Sequence, residues 1–373
     1  MKILLAAAIY PPDAGGPATH AARFVLEVEK LGHEVRVVVF SKYHHLPAGI
    51  RHVRYFFALL GKVWGVDCIY AHDARSTGLP AYLVSILLRK PLILRIGGDV
   101  VWEKAMETNA NPISMREFYK AGKEKGRLFS LVSRVFGRAS KIIVTSAILE
   151  NIYIDYYNVS KEKIIVLGNP ISDVKVESFG RFNLDVEKAL VFASRFVAYK
   201  NLDLLLDAFA AVYEEISPAK LYLCGAGPEQ EKLETQTKRL GMGGQVIFSH
   251  KNHENVLELI SKSWGTIAPA LTEFNPNYLL EGLALGKPFL LSREHGLSFS
   301  VPEKLTFDPT DRKDLERKLV WFFSEEGYSE AKELIKNIQA LPTWEENINT
   351  QLAIISSVVS DSPAATGPRS SGG

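Results

Sequence analysis

Short apolar runs of strand length alternate with helix-period segments along nearly the whole chain, and no other feature limits the fold so much. Residues 3–8, 35–40, 68–71, 92–96, 142–145 and 164–166 read as strands, with helices expected at 17–31, closed by Gly32, and at 79–89. A second series begins with a strand at 189–193, a helix at 201–216 and a strand at 220–224. It continues through strand 246–248, helix 255–261, strand 266–271, a further helix and strand 289–292. Alternation of this kind predicts α/β architecture, with parallel sheets covered by helices on both faces. Two series predict two Rossmann-like doubly wound domains, at 1–168 and 169–343, joined near Gly168-Asn169-Pro170.

The totals agree with that plan. A chain of 373 residues accommodates two domains of ordinary size, and 47% hydrophobic residues supply their cores. A net charge of +2 gives no general argument for a nucleic-acid partner. Cys68 and Cys224 both lie in apolar strand-like runs, which argues against a disulfide framework and suits a reducing cytoplasm. The start, Met1-Lys-Ile-Leu-Leu-Ala-Ala-Ala, has too short an apolar run for a secretory leader and reads as a buried strand. No stretch approaches the roughly 20 apolar residues that span a bilayer, so a soluble or peripheral protein is expected. Residues 360–373 are rich in Ser, Pro and Gly and are expected to be disordered.

In doubly wound sheets ligands bind outside the carboxyl ends of the strands, and every polar constellation of this chain falls there. Glu273 and Glu281 flank a loop-to-helix transition in Leu271-Thr-Glu-Phe-Asn-Pro-Asn-Tyr-Leu-Leu-Glu. Asn275 is expected to cap that helix, Pro276 to open it, and Gly286 to stop it. Such a helix start suits an anion, and carboxylates beside it suit neutral hydroxyls of a sugar or ribose. Arg195 and Lys200, in the loop after strand 189–193, form a plausible diphosphate clamp or a pair of solvated cations. Gly225-Ala-Gly227 permits close approach of a turn to a nucleotide. Gly15 and Gly16 allow a tight turn before Pro17 opens a helix. This is not a Gly-x-Gly-x-x-Gly pattern, so a nicotinamide cofactor is not indicated. His72-Asp73 and Gly97-Gly-Asp99 end two strands of the first series.

The order of these elements resembles the family 4 (group 1) retaining glycosyltransferases of the GT-B fold. The resemblant elements are a Gly-Gly loop, an Arg…Lys loop, a Gly-x-Gly turn and Glu-x7-Glu before Gly286-Lys-Pro. Lys163-Ile-Ile-Val-Leu-Gly-Asn-Pro-Ile-Ser-Asp173 and Thr343-Trp-Glu345 add to the likeness, which covers residues 1 to about 350. The resemblance implies two Rossmann-like domains facing a central cleft, and a helix at 344–359 returning to the N-terminal, acceptor-binding domain. It implies a nucleoside-diphosphate sugar as donor, a glycan or lipid-linked acceptor, and a role in cell-surface polysaccharide or glycolipid synthesis. By position, Arg195 and Lys200 would bind the diphosphate, Glu281 the ribose and Glu273 the transferred sugar. Gly225 and Gly227 would lie near the nucleotide. Backbone amides at Asn275, Pro276 and Asn277 would support sugar and phosphate, as Gly15 and Gly16 would from the first domain. Asp99 and His72 would meet sugar or acceptor hydroxyls. There is no Asp-x-Asp motif, so metal independence and no cofactor are expected.

The chain departs from the family where Phe274-Asn275-Pro276 replaces a more usual small residue, aromatic and Gly, and where Ser194 and Asn201 replace common glycines. A phosphorylase-like or epimerase-like enzyme and an inactive sugar-nucleotide-binding subunit remain as alternatives. Residues 116–141 carry eight Lys/Arg against two Glu, interleaved with Leu128, Phe129, Leu131, Val132, Val135 and Phe136. They read either as an amphipathic helix on anionic lipid at the inner face of the cell membrane or as a core-facing helix with a basic outer side. Residues 51–60 are a second such candidate.

Overall fold

A computed structural model describes residues 1–13, 15–170, 186–338 and 341–361. Ile171, Ser172 and Asp173 of the asparagine stretch, and residues 362–373 of the tail, lie outside them. In chain order the elements run β1 (Lys2–Ala7), α1 (Gly16–Lys30), β2 (Glu34–Val39), α2 (Ala48–Lys62), β3 (Cys68–Ala71), α3 (Gly78–Leu87) and β4 (Leu92–Ile96). There follow α4 (Val100–Met106), α5 (Met115–Lys120), α6 (Arg127–Arg138), β5 (Lys141–Val144), α7 (Ala147–Asp155) and β6 (Ile164–Val166). The later part runs β7 (Glu187–Ala193), α8 (Leu202–Ala211), α9 (Tyr213–Ile216), β8 (Lys220–Cys224), α10 (Gln230–Arg239), β9 (Val246–Ser249) and α11 (His253–Lys262). It ends with β10 (Ser263–Ala268), α12 (Asn277–Ala284), β11 (Phe289–Ser292), β12 (Thr306–Phe307), α13 (Arg312–Phe322), α14 (Glu325–Lys336) and α15 (Trp344–Ser360).

The strands form two six-stranded, wholly parallel sheets, ordered β2-β1-β3-β4-β5-β6 and β12-β11-β10-β7-β8-β9. Strand β1 is apolar from Ile3 to Ala7 and fully buried there, because helices cover both of its faces. Two compact units result. The first comprises Met1–Val100, Lys125–Gly168 and the chain from Trp344; the second comprises Val101–Glu124 and Asn169–Thr343. The boundary at Gly168/Asn169 is where the sequence changes from one strand series to the next. The transfer of Val101–Glu124 to the second unit was not legible.

In the first unit α15 packs on α1, with Ile348, Leu352 and Ile355 joining Phe24, Tyr70 and Ile143 in one core. Inside that apolar contact runs a polar chain. Tyr70 Oη donates to Gln351 Oε1 (2.6 Å), Gln351 Nε2 to Asn347 Oδ1 (2.7 Å), and Asn347 Nδ2 to the Gly168 carbonyl (2.8 Å). Buried polar groups are costly unless bonded, so this chain fixes the register of α15 on the sheet.

Three sequence expectations need correction. The helix expected at 201–216 is two, α8 and α9, parted at Val212, whose φ of −112° leaves the helical region. The strand expected at 266–271 ends at Ala268, because Pro269 has no N–H for the ladder. The basic stretch 116–141 is not one helix. Gly122, at φ +65°, closes α5 with Lys123 N–H donating to Phe118 O and Gly122 N–H to Tyr119 O, so α5 stays with the second unit and α6 with the first.

Replacing Gln351 by Ala should leave the buried Tyr70 hydroxyl and Asn347 amide short of partners. The expected cost is about 1–3 kcal/mol, seen as a lower urea midpoint. An unchanged midpoint would show that the polar chain does not hold α15.

Candidate active site

The site of the second unit is assembled along the carboxyl edge of its sheet. Because β11, β10, β7, β8 and β9 are neighbours in that order, the loops after them share one edge. The loop after β7 turns through Ala198–Lys200 and leaves by Asn201 in the left-handed region at φ 59°. Asn tolerates that conformation better than other side chains with a Cβ. Its amide also donates to Pro269 O (3.2 Å) and Pro309 O (2.8 Å), bonds that a glycine would not make.

This turn directs Lys200 inward. Its Nζ lies 2.6 Å from Glu273 Oε2, and both side chains are buried. Glu273 is held by its backbone, donating to Glu294 O (2.8 Å) and accepting from Gly296 N–H (2.7 Å). The family resemblance implied separate tasks for Lys200 and Glu273, and the structure joins them in one ion pair.

Arg195 is 58% exposed at its side chain, and its guanidinium donates to Tyr199 Oη (2.8 Å) and pairs with Glu107 (3.3 Å) and Glu103 (3.7 Å). Burial pushes the Tyr199 phenol far above its ordinary value, so it is a neutral acceptor for the guanidinium. Gly225 and Gly227 stand against this loop. A Cβ on Gly225 would lie 2.0 Å from Ser194 O, and one on Gly227 would lie 2.2 Å from Phe196 O. Phe196 N–H donates to Ala226 O, and Glu229 N–H to Phe196 O. The two glycines therefore admit the Arg195 loop and fix where that side chain emerges.

Helix α12 starts at Asn277 with Pro276, not Asn275, at its N-cap, and no side chain caps it. A residue before proline is held extended, which keeps Asn275 outside the helix. Asn169 Nδ2 instead spans this start, donating to Asn275 O (3.2 Å) and Asn277 Oδ1 (2.8 Å). The first N–H groups of a helix lack intrahelical partners and carry its positive dipole end, so an acceptor is favoured here. Gly286, at φ 69°, ends the helix as expected: Lys287 N–H donates to Gly282 O and Gly286 N–H to Leu283 O.

Glu281, nearly buried one turn into α12, lies 2.8 Å from His253 Nε2 at the start of α11. That hydrogen bond raises the imidazole above its ordinary value, opposed by partial burial. Sequence reasoning passed over His253, since nothing in the residues 28 positions upstream of Glu281 marks their approach. It gave the strip 101–124 no part in the second unit's site. Trp102 packs at a tilt against Tyr199 (4.8 Å) and edge-on to Phe274 (6.0 Å), Met115 N–H donates to Thr272 Oγ1 (3.0 Å), and Arg116 pairs with Glu294 (3.0 Å). The Val-Val-Trp102-Glu103 run was the one available signal for it.

The first unit holds the remaining candidates. Gly15, at φ +133°, precedes α1, which begins at Gly16 with Pro17 in its first turn. His72 ends β3, half-buried among His20 (5.1 Å), Tyr70 (5.0 Å) and Phe24 (6.4 Å). Burial, then the Arg95 charge, pushes its imidazole down to about 3, so it is uncharged near neutrality. Asp99 is buried and accepts from Tyr157 Oη at 3.4 Å. Cys68 and Cys224 are both buried and unbridged.

A family described as "Glycosyl transferase 4-like domain" matches residues 15–170, and one described as "Glycosyl transferases group 1" matches residues 176–341. The chain belongs to the group 1 glycosyltransferases. It is an enzyme that transfers sugar. An uncharacterized glycosyltransferase of Methanocaldococcus jannaschii is 23% identical, the alignment covering 93% of this chain and 92% of the relative. An alpha-monoglucosyldiacylglycerol synthase of Streptococcus pneumoniae is 24% identical over 82% of this chain and 74% of its own length. Sucrose-phosphate synthase of Thermosynechococcus elongatus shares the fold, with a TM-score of 0.73 at 16% identity over 96% of this chain and 98% of that one. The two wound sheets are thus those of the GT-B fold.

The His253–Glu281 contact sets a titration. A partner that raises the folded imidazole's value stabilises the protonated, folded form below about pH 6.5, and this contribution is lost as pH rises through the raised value. Nuclear magnetic resonance should find the His253 midpoint above about 6.5, and Glu281→Gln should return it toward that value. An unshifted wild-type midpoint would contradict the contact.

Proposed function

We propose that this glycosyltransferase moves a hexose-type sugar from a nucleoside-diphosphate sugar, with retention, to a glycan or lipid-linked acceptor. The observation that carries the reading is the buried Lys200–Glu273 pair, set on the sheet edge that also bears Arg195 and the start of α12. Lys200 supplies positive charge to the leaving diphosphate, and Arg195 adds a planar, exposed guanidinium for its outer oxygens. The N–H groups of Asn277, which opens α12, and of Asn275 before it are assigned to acceptor oxygens of phosphate or sugar, while Pro276 between them has no N–H and shapes the turn. Gly225 and Gly227 act by holding the Arg195 loop rather than by touching the nucleotide.

Glu281 accepts hydrogen bonds from ribose hydroxyls. Glu273 has one carboxylate oxygen on Lys200 and a second for a hydroxyl of the transferred sugar. The bond from the anomeric carbon to the phosphate oxygen breaks while the acceptor oxygen bonds that carbon on the same face. The departing phosphate oxygen takes the acceptor proton. The protein's part is positioning and electrostatics, with no metal and no cofactor. Gly15, Gly16, Asp99 and the uncharged His72 are assigned to the diphosphate or to acceptor and sugar hydroxyls.

The Streptococcus pneumoniae relative makes, by its name, a glycolipid, which supports the lipid-linked form of the acceptor. A cytoplasmic protein held peripherally at the inner face of the membrane, serving polysaccharide or glycolipid synthesis, completes the reading. Among the described residues no helix is long and apolar enough to cross a membrane.

Thermal shifts against a panel of nucleoside diphosphates and their sugars test the donor. One nucleotide sugar at about 100 times its Kd should add about 2.7 kcal/mol of stability, and Glu281→Ala should remove most of that gain. Transfer should persist in EDTA. A panel without any shift, or a wild-type rate in Glu281→Ala, would refute the site.

Lys200→Ala alone leaves the Glu273 carboxylate buried and unpaired, at a cost of about 3–5 kcal/mol. The informative comparison is therefore the Lys200→Met/Glu273→Gln double variant, which removes both charges together. It should unfold at a higher temperature than Lys200→Ala while transferring no sugar.

A further inference from the structure

We propose that α2, α3 and α6 of the first unit form the face by which the protein lies on an anionic lipid surface. The three helices are neighbours, α3 touching both α2 and α6. Eleven large hydrophobic side chains are exposed among the described residues, and eight of them sit on these helices or just past the end of α2. On α2 they are Ile50, Val53 and Phe57, spaced along one helix face, with Trp64 two residues beyond its end; Phe57 is 61% and Trp64 66% exposed. On α3 they are Leu83, Ile86 and Leu87, and on α6 Leu131. Single exposed apolar side chains are ordinary, but a cluster of this kind marks an interaction surface.

Charge identifies the partner. None of α2, α3 and α6 contains an Asp or Glu, and no carboxylate side chain occurs between Glu34 and Asp67, between Asp73 and Asp99, or between Glu124 and Glu150. Arg54, Lys62, Arg89, Arg127 and Arg134 are exposed on or beside the same helices. A soluble protein surface ordinarily mixes both signs. Three neighbouring helices that expose apolar and cationic side chains and contain no Asp or Glu suit an interfacial contact with acidic headgroups, the nearest carboxylates at the Trp64 end, Glu34 and Asp67, lying outside them: apolar side chains enter the acyl boundary while Arg and Lys meet phosphates.

Sequence reading singled out the α6 share of this face and, at residues 51–60, part of the α2 share. The fold moves the larger apolar share to α2 and α3 and takes Arg116 and Lys120 away to the second unit. The inference rests on the lipid-linked acceptor reading only for the reason a bilayer is the relevant surface.

Flotation of the full chain with vesicles tests it. Wild type should float with vesicles containing about 30% phosphatidylglycerol at low salt, and not with pure phosphatidylcholine. Binding should weaken in about 0.5 M salt, where screening shortens to a few ångströms. The exposed double variants Phe57→Ser/Trp64→Ser and Arg54→Glu/Arg134→Glu should each reduce the bound fraction about tenfold, with donor hydrolysis unchanged. No flotation on anionic vesicles, or flotation indifferent to both variants, would overturn the proposal. So would light scattering that finds a dimer which Phe57→Ser/Trp64→Ser converts to monomer, since the face would then belong to a second copy. Intact flotation without donor hydrolysis would sink the catalytic reading and leave the surface standing.

Discussion

A lysine and a glutamate removed together from water govern the second unit. Charges at the interior are tolerated when paired in good geometry, and Lys200 and Glu273 meet at 2.6 Å. They come from loops that follow β7 and β10, which are adjacent strands, so the pair ties two strand ends across the sheet edge. Much of the surrounding structure serves this contact. The left-handed Asn201 turns the chain immediately after Lys200, and the Glu294–Gly296 backbone grips Glu273 on both sides. An ion pair of this kind adds little net stability compared with apolar replacements, so its presence here points to chemistry rather than to folding.

Around the pair, side chains act mainly on one another's position. Gly225 and Gly227 are glycines because the Ser194–Phe196 backbone passes where their Cβ atoms would be. Asn169 grips the start of α12, and His253 meets Glu281 from the neighbouring helix. Trp102, Glu103 and Glu107 reach the Arg195 loop from a strip of sequence that the first strand series encloses. Preorganisation of this sort fixes the charged groups in place before any ligand arrives.

The first unit shows a different use of polarity. Its interior polar chain from Tyr70 through Gln351 to Gly168 is directional and holds one register of α15. Its outer helices carry positive charge without carboxylates beside exposed Phe57 and Trp64. The same unit is thus specific inside and permissive outside.

The sequence by itself determined the two wound sheets, because strands buried on both faces must be written as nearly unbroken apolar runs. It also determined that Arg195, Lys200 and Glu273 stand in loops at strand ends and that Glu281 lies one turn into the next helix, because each loop follows such a run. Spacing along a chain says nothing about which strands become neighbours. Only the tertiary structure therefore decided that Lys200 would pair with Glu273 and that His253 would reach Glu281. The departure of 101–124 from its own strand series is of the same kind. Gly122 breaks the helix there, and the apolar side chains of Trp102 and Met115 are buried in the second unit. Exposure is likewise a tertiary property. The pattern Ile50, Val53, Phe57 describes a core-facing helix as well as a bare one, and only the packed fold showed that these side chains stay more than half exposed among the described residues.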